Sequence, residues 1–178
     1  GTGKDLLFTN FVGQYLMGNS LCYATADAEN KLFGKHATAM EATKLIIVNE
    51  ASYKTNAKCA SRLKDLLTCL ECDIERKGID FNTVRSFQGF ILMSQDMCVK
   101  VEETDRRFAI FAPKGAFKGK LDWFKWFAED YSTNKANQKA VYDMLMARDL
   151  SQVNLERDRP ETELRSEMRI LNISWTSF

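Results

Sequence analysis

The chain has 178 residues, 45% of them hydrophobic, and a formal net charge of +1, which is one domain's worth of polypeptide with enough apolar material for a core. Balanced charge neither predicts nor excludes a polyanionic partner, since a basic face can sit inside a neutral total. No apolar run reaches the roughly 20 residues of a membrane span and no basic, hydrophobic leader opens the chain, so a soluble, cytoplasmic protein with five reduced cysteines and no membrane partner is expected.

The first residues, Gly-Thr-Gly-Lys-Asp, run into Leu6, Leu7, Phe8, Phe11, Val12 and Tyr15 at helical spacing, so a glycine-rich loop is predicted to open a helix. Leu21 to Thr25 is a short strand candidate. The stretch 26–41 carries helix-like spacing broken by Gly34, and Lys44 to Val48 reads as a strand buried on both faces, which implies a parallel sheet. From Lys58 to Cys69 an amphipathic helix is predicted, with Leu63, Leu66, Leu67 and Leu70 on its apolar face.

The period then changes to two. Residues 72–87 alternate around Lys77-Gly78 and read as a hairpin, followed by continuously apolar strands at 89–94 and 106–112. Cys69-Leu-Glu-Cys72 has the gap of a zinc knuckle. No second close pair accompanies it and His36 is far away in sequence, so a helix end running into a strand is preferred. After Pro113 three amphipathic helices form a helical annex over 113–178, beside a core over 1–112. Both ends read as cut, because the first residue sits inside a loop and the last helix runs into Trp175 and Phe178 without a polar tail.

Four elements carry chemistry. Gly1, Gly3, Lys4 and Asp5 supply the second half of a phosphate cradle: glycines for close backbone approach, a lysine for β/γ oxygens, and a carboxylate able to reach Mg²⁺. A plain glycine-rich leader before a helix is the alternative for that motif alone. "LIIVNE" ends a buried strand in Asn49-Glu50, the place beside a phosphate loop where an acid would hold Mg²⁺ and polarise the attacking water, with Glu50 as the general base; a helix N-cap neighbour or a solvated loop carboxylate is the alternative for Glu50 alone. "FILMSQD" ends another strand in Ser94 and Gln95, whose amide can orient that water. Arg106 and Arg107 are placed to act as fingers toward a nucleotide on a neighbouring subunit, or else to pair with Glu102, Glu103 and Asp105. Lys114, Lys118, Lys120 and Lys125 interleave with Phe117, Trp123 and Trp126, aromatics read as core rather than as stacking platforms.

The succession GTGKD, LIIVNE, an LKDLLT helix, a KG hairpin, FILMSQD and DRRF resembles the superfamily 3 helicases, most closely the primase-helicases of phages, plasmids and large DNA viruses. The resemblance covers Gly1 to about Ala112, and "RDLSQVN" with "RPETELRSEM" is similar to the segment after the ATPase core in those viral proteins. It implies an AAA+-like P-loop NTPase core: α/β, with a mostly parallel sheet, an inserted hairpin and a C-terminal helical annex, here N-terminally truncated. It further implies a hexameric ring that hydrolyses ATP with Mg²⁺ and moves on single-stranded DNA, with a primase domain upstream. On the family's motifs Gly1, Gly3, Lys4 and Asp5 fall on Walker A, Asn49 and Glu50 on Walker B, and Gln95 on the sensor. Lys64 and Lys77 match the two lysines between them, Lys77 at the pore-facing hairpin tip, and Arg106 and Arg107 fall where the arginine finger is expected. The loop's first glycine is missing, Gln95 replaces the usual Asn, and Asp5 replaces Ser or Thr. Two rivals remain: a non-catalytic ATPase-like interaction fragment, and a nucleotide kinase, disfavoured by the hairpin and the sensor strand.

Overall fold

In the computed structural model the described residues are 2–32, 41–51, 63–74, 82–95, 99, 101, 105–154 and 157–175. The first helix, Leu6–Met17, starts where the Leu7 N–H donates to the Gly3 carbonyl at 3.0 Å, and it is wound with wide π-type turns. It lies against the sheet through Gly13, where a Cβ would stand 2.8 Å from the Cys22 sulfur, so only glycine permits this approach without a shift. Burial in this contact also raises the Cys22 thiol above its ordinary range.

Three strands, β1 (Cys22–Thr25), β2 (Leu45–Val48) and β5 (Gly89–Leu92), form a parallel sheet in the order β1-β2-β5. Ile46 sits opposite Tyr23 on one side and Phe90 on the other. The central position explains the unbroken apolar run: Ile46 and Ile47 are wholly buried, each worth about 1.5–3 kcal/mol of apolar burial. A short helix, Ala28–Lys31, follows β1, with the Asp27 carboxylate accepting from the Asn30 N–H at 3.3 Å. It drops Ala28 and Leu32 into the cluster formed by Ile46, Val48, Ala51 and Leu63. The expected mixed α/β architecture with a parallel sheet is therefore present.

The antiparallel pair β3 (Glu71–Ile74) and β4 (Asn82–Arg85) supplies the arms of the expected hairpin, in the register Glu71↔Arg85 to Ile74↔Asn82. Its tip, with Lys77, lies outside the described residues. Ahead of it, the helix of 63–68 buries Leu63 but stops before Leu70, which is 78% exposed, so Leu70 does not join the predicted apolar face. The Cys69 end of the Cys-x-x-Cys pair is a helix end leading into β3, and the Cys72 side chain is outside the described set.

The strand predicted over 106–112 is not formed. The backbone there finds side-chain partners instead of a ladder: the Arg107 N–H donates to Asp105 Oδ1 at 2.8 Å, and the Ile110 carbonyl accepts from the Thr162 hydroxyl at 2.6 Å. Helices follow at Leu121–Trp126, continuing through Phe127–Tyr131, and at Lys135–Met146 and Glu163–Trp175. The second of these is capped by Asn134, whose amide oxygen accepts from the Ala136 N–H at 2.8 Å.

Candidate functional site

The site grows from the carboxyl ends of the parallel strands, where open α/β sheets leave a crevice for ligands. The ladder bonds run one residue past the strand ends before the chain turns at Asn49–Glu50. The Asn49 N–H donates to the Thr25 carbonyl at 2.8 Å, the Met93 N–H to the Val48 carbonyl at 2.9 Å, and the Ala51 N–H to the Met93 carbonyl at 2.8 Å. Between the last two, Glu50 takes a left-handed backbone conformation with φ of 54°, and its side chain is exposed. A non-glycine residue in that region costs about 1–2 kcal/mol, which marks Glu50 as a residue held in place by its surroundings.

The glycine loop is drawn to these tips by two side chains. Lys4 Nζ donates to the Ser94 carbonyl at 2.7 Å, across 90 residues of sequence. One turn on, the Thr9 hydroxyl donates to Asn49 Oδ1 at 3.2 Å. Together these bonds bring Lys4, Asn49 and the end of β5 into one group, with exposed Gln95 adjoining Ser94. Asp5 lies at the entrance to the first helix, also exposed, and Gly1 is outside the described residues. Gly3 has a φ of 80°, and a Cβ there would stand 2.5 Å from the ring of Phe124. A glycine is thus required by conformation and by space together, as expected of a built turn.

Arg107 belongs to a second group. The Asp105 side chain is fully buried, with Arg107 Nη1 at 3.8 Å from its Oδ2. Arg165, itself 0% exposed, donates through Nη2 to the Asp105 carbonyl and through Nη1 to Glu161 Oε1 at 2.5 Å. Arg159 and Arg169 lie at 3.5 and 3.7 Å from the same carboxylate. The hydrogen bond from Arg165, then the charges of all three arginines, hold the Glu161 carboxyl below its ordinary range. Arg106 and Arg107 are both solvent-exposed beside this group. Lys64 lies half-buried on the helix of 63–68, its carbonyl accepting from the Thr68 hydroxyl at 2.9 Å.

Thr9, Phe124, Glu161 and Arg165 escape a reading of the sequence. Thr9 stands five residues beyond Lys4, a spacing that ordinary α-helical periodicity does not put on the same face, and the wide π-type winding of the first helix is what narrows that offset. The oxygen donors Asp5, Asn49 and Glu50 are hard ligands of the kind Mg²⁺ takes, and at least Asn49 is tied directly to the helix that follows the loop.

The model of a family of unknown function (DUF5906) matches residues 1–107, and the chain belongs to that family. No curated protein matches. Among solved structures, the apo A form of the NrS-1 C-terminal region is similar with a TM-score of 0.74 at 21% identity, over 97% of this chain and 40% of that one. A second apo structure of the NrS-1 C-terminal region (305–718) is similar with a TM-score of 0.58 at 19% identity, over 100% of this chain and 41% of that one. The chain therefore shares its fold with these structures and spans about two fifths of their length.

Proposed function

We propose that this member of the DUF5906 family is the ATP-hydrolysing part of a DNA helicase of the superfamily 3 type, serving replication of a virus, phage or mobile element. The observation that carries the reading is the gathering of Lys4, Asn49 and the Ser94 strand end at the carboxyl edge of a parallel sheet, with Gly3 in a left-handed turn. These are the places at which a P-loop ATPase keeps its lysine, its acid and its sensor amide. Shared fold with the NrS-1 C-terminal region is consistent with it.

In this reading Gly1, Gly3 and Lys4 bind the triphosphate, and Lys4 exchanges the Ser94 carbonyl for β and γ oxygens. Asp5, Asn49 and Glu50 are the residues that would hold Mg²⁺, which when bound neutralises those oxygens. Glu50 takes the proton of the attacking water and Gln95 orients that water. Arg106 and Arg107 serve the neighbouring subunit of a homo-hexamer, and Lys64 and Lys77 face single-stranded DNA in its pore. A primase domain upstream in the full-length protein completes the assembly.

The test is ATP hydrolysis by the full-length protein with and without single-stranded DNA. Lys4→Ala and Glu50→Gln should each lower turnover by about 10²-fold or more, with Glu50→Gln still binding ATP. Unchanged turnover in either variant removes the assignment, and a folded parent with no turnover leaves an ATPase-like interaction fragment. Lys77→Ala should weaken single-stranded DNA binding by a few fold at low salt while leaving basal hydrolysis in place. Equal affinity in a titration would take Lys77 out of the pore.

A further inference from the structure

The contact between Gly3 and Phe124 joins residues 121 positions apart and is not used by the reading above. Phe124 occupies the face of its helix that carries Phe127 and Tyr131, at steps of three and four residues. Phe127 and Tyr131 meet the first helix at Phe11, with ring centroids at 5.7 and 5.8 Å. One aromatic face therefore lies along the loop and the helix it opens, touching the loop at residue 3 and the helix at residue 11. Trp123 presses edge-on against Phe124 at 5.2 Å and is itself stacked on Phe117 at 4.1 Å and on Phe127 at 5.3 Å. Phe124 is thus held in a stack of rings rather than standing alone.

We propose that Phe124 is a positioning residue for the phosphate loop: its ring, seated on Gly3 and backed by the Trp123 stack, locks the left-handed turn that presents the Gly3–Lys4 backbone to a triphosphate. This rests on the nucleotide-binding reading. Glycine is the residue with most conformational freedom to lose, so an unclamped Gly3 would populate many turns and lower the fraction of loop competent to bind. A ring packed on its Cα removes that freedom before the ligand arrives. The same contact makes Trp123 a reporter, because a triphosphate placed against Gly3 changes the electric field at the ring stack beside it.

Two measurements on the full-length protein test it. In the first, thermal stability is compared across Gly3→Ala, Phe124→Ala and the double variant. The clamp requires that Gly3→Ala be less harmful once Phe124 is gone, since the steric part of its effect disappears while the φ strain stays. Additive effects overturn the clamp whether or not nucleotide binds. In the second, ATP with Mg²⁺ is titrated by calorimetry and by tryptophan emission. Phe124→Ala and the milder Phe124→Leu should weaken binding, the former by about tenfold, and abolish the emission change, while Phe124→Tyr restores both. Wild-type affinity in Phe124→Ala overturns the proposal. A parent that shows the stability coupling but binds no ATP removes the nucleotide reading, and with it the clamp's role in phosphate binding.

Discussion

Glu50 shows how much one backbone angle can say. It is a carboxylate at the tip of the central strand, exposed, and held at φ of 54° although glycine would sit there without strain. If the side chain earned its place only by folding, Glu50→Gly would be neutral or harmful. Relief of the left-handed conformation instead predicts a gain of about 1 kcal/mol in chemical denaturation, accompanied, on the proposed ATPase reading, by loss of turnover. A destabilised Glu50→Gly would mean that the carboxylate makes a structural contact that outweighs the strain. Gly13 gives the opposite case. Its missing Cβ lets the first helix approach Cys22, so Gly13→Ala should cost about 1–3 kcal/mol as sulfur and helix are pushed apart. A stability within 0.5 kcal/mol of wild type, by the usual scatter of surface substitutions, would show that the helix can slide.

Among the elements, the segment 105–110 and the start of the last helix depend on each other. Thr162 serves that helix as a cap, its hydroxyl accepting from the Arg165 N–H at 3.3 Å while donating to the Ile110 carbonyl. Arg165 then closes the joint through Glu161 and the Asp105 carbonyl. Because the Glu161 carboxyl is depressed in the folded state by Arg165, its contribution is complete above the ordinary glutamate range and is lost as pH falls through the lower folded value. Melting temperature should therefore decline on the acid side, and Glu161→Gln should flatten part of that decline; an unaltered acid limb would leave the pair without stabilising effect. This joint is also where the sequence was least legible. The apolar run at 108–112 looks the same whether its segment's backbone bonds a neighbouring strand or the side chains of Asp105 and Thr162. An arginine in an amphipathic helix reads as solvent-facing, yet Arg165 is wholly buried. By contrast β2 formed as expected, its apolar run Leu45–Val48 being rich in β-branched residues and buried at the centre of the sheet, and the arms of the hairpin were signalled by a change of period. For the candidate site, the motif residues Lys4, Asn49 and Ser94 were legible, whereas their supports Thr9 and Phe124 were not, because support is a matter of contact across the fold.

At the scale of the whole molecule, residues on either side of 112, the expected boundary, meet in two kinds of joint. The first is aromatic: Phe124 on Gly3, and Phe127 and Tyr131 on Phe11. The second is polar: Thr162 and Arg165 on the 105–110 segment. All three tryptophans, Trp123, Trp126 and Trp175, lie after residue 112, so in denaturation their emission follows chiefly that part of the chain, while far-ultraviolet circular dichroism follows both parts. Two clasps at separate points should make the halves unfold together, and the two signals are then expected to trace one coincident denaturation curve. Phe11, 4% exposed, is the side chain that links the aromatic helix to the helix opened by the loop. Phe11→Ala should cost about 3–5 kcal/mol and move both signals by the same amount. If circular dichroism shifts while tryptophan emission stays, residues 113–178 fold as an independent unit. The phosphate loop and the helical annex would then lack the energetic coupling that the clamp on Gly3 requires.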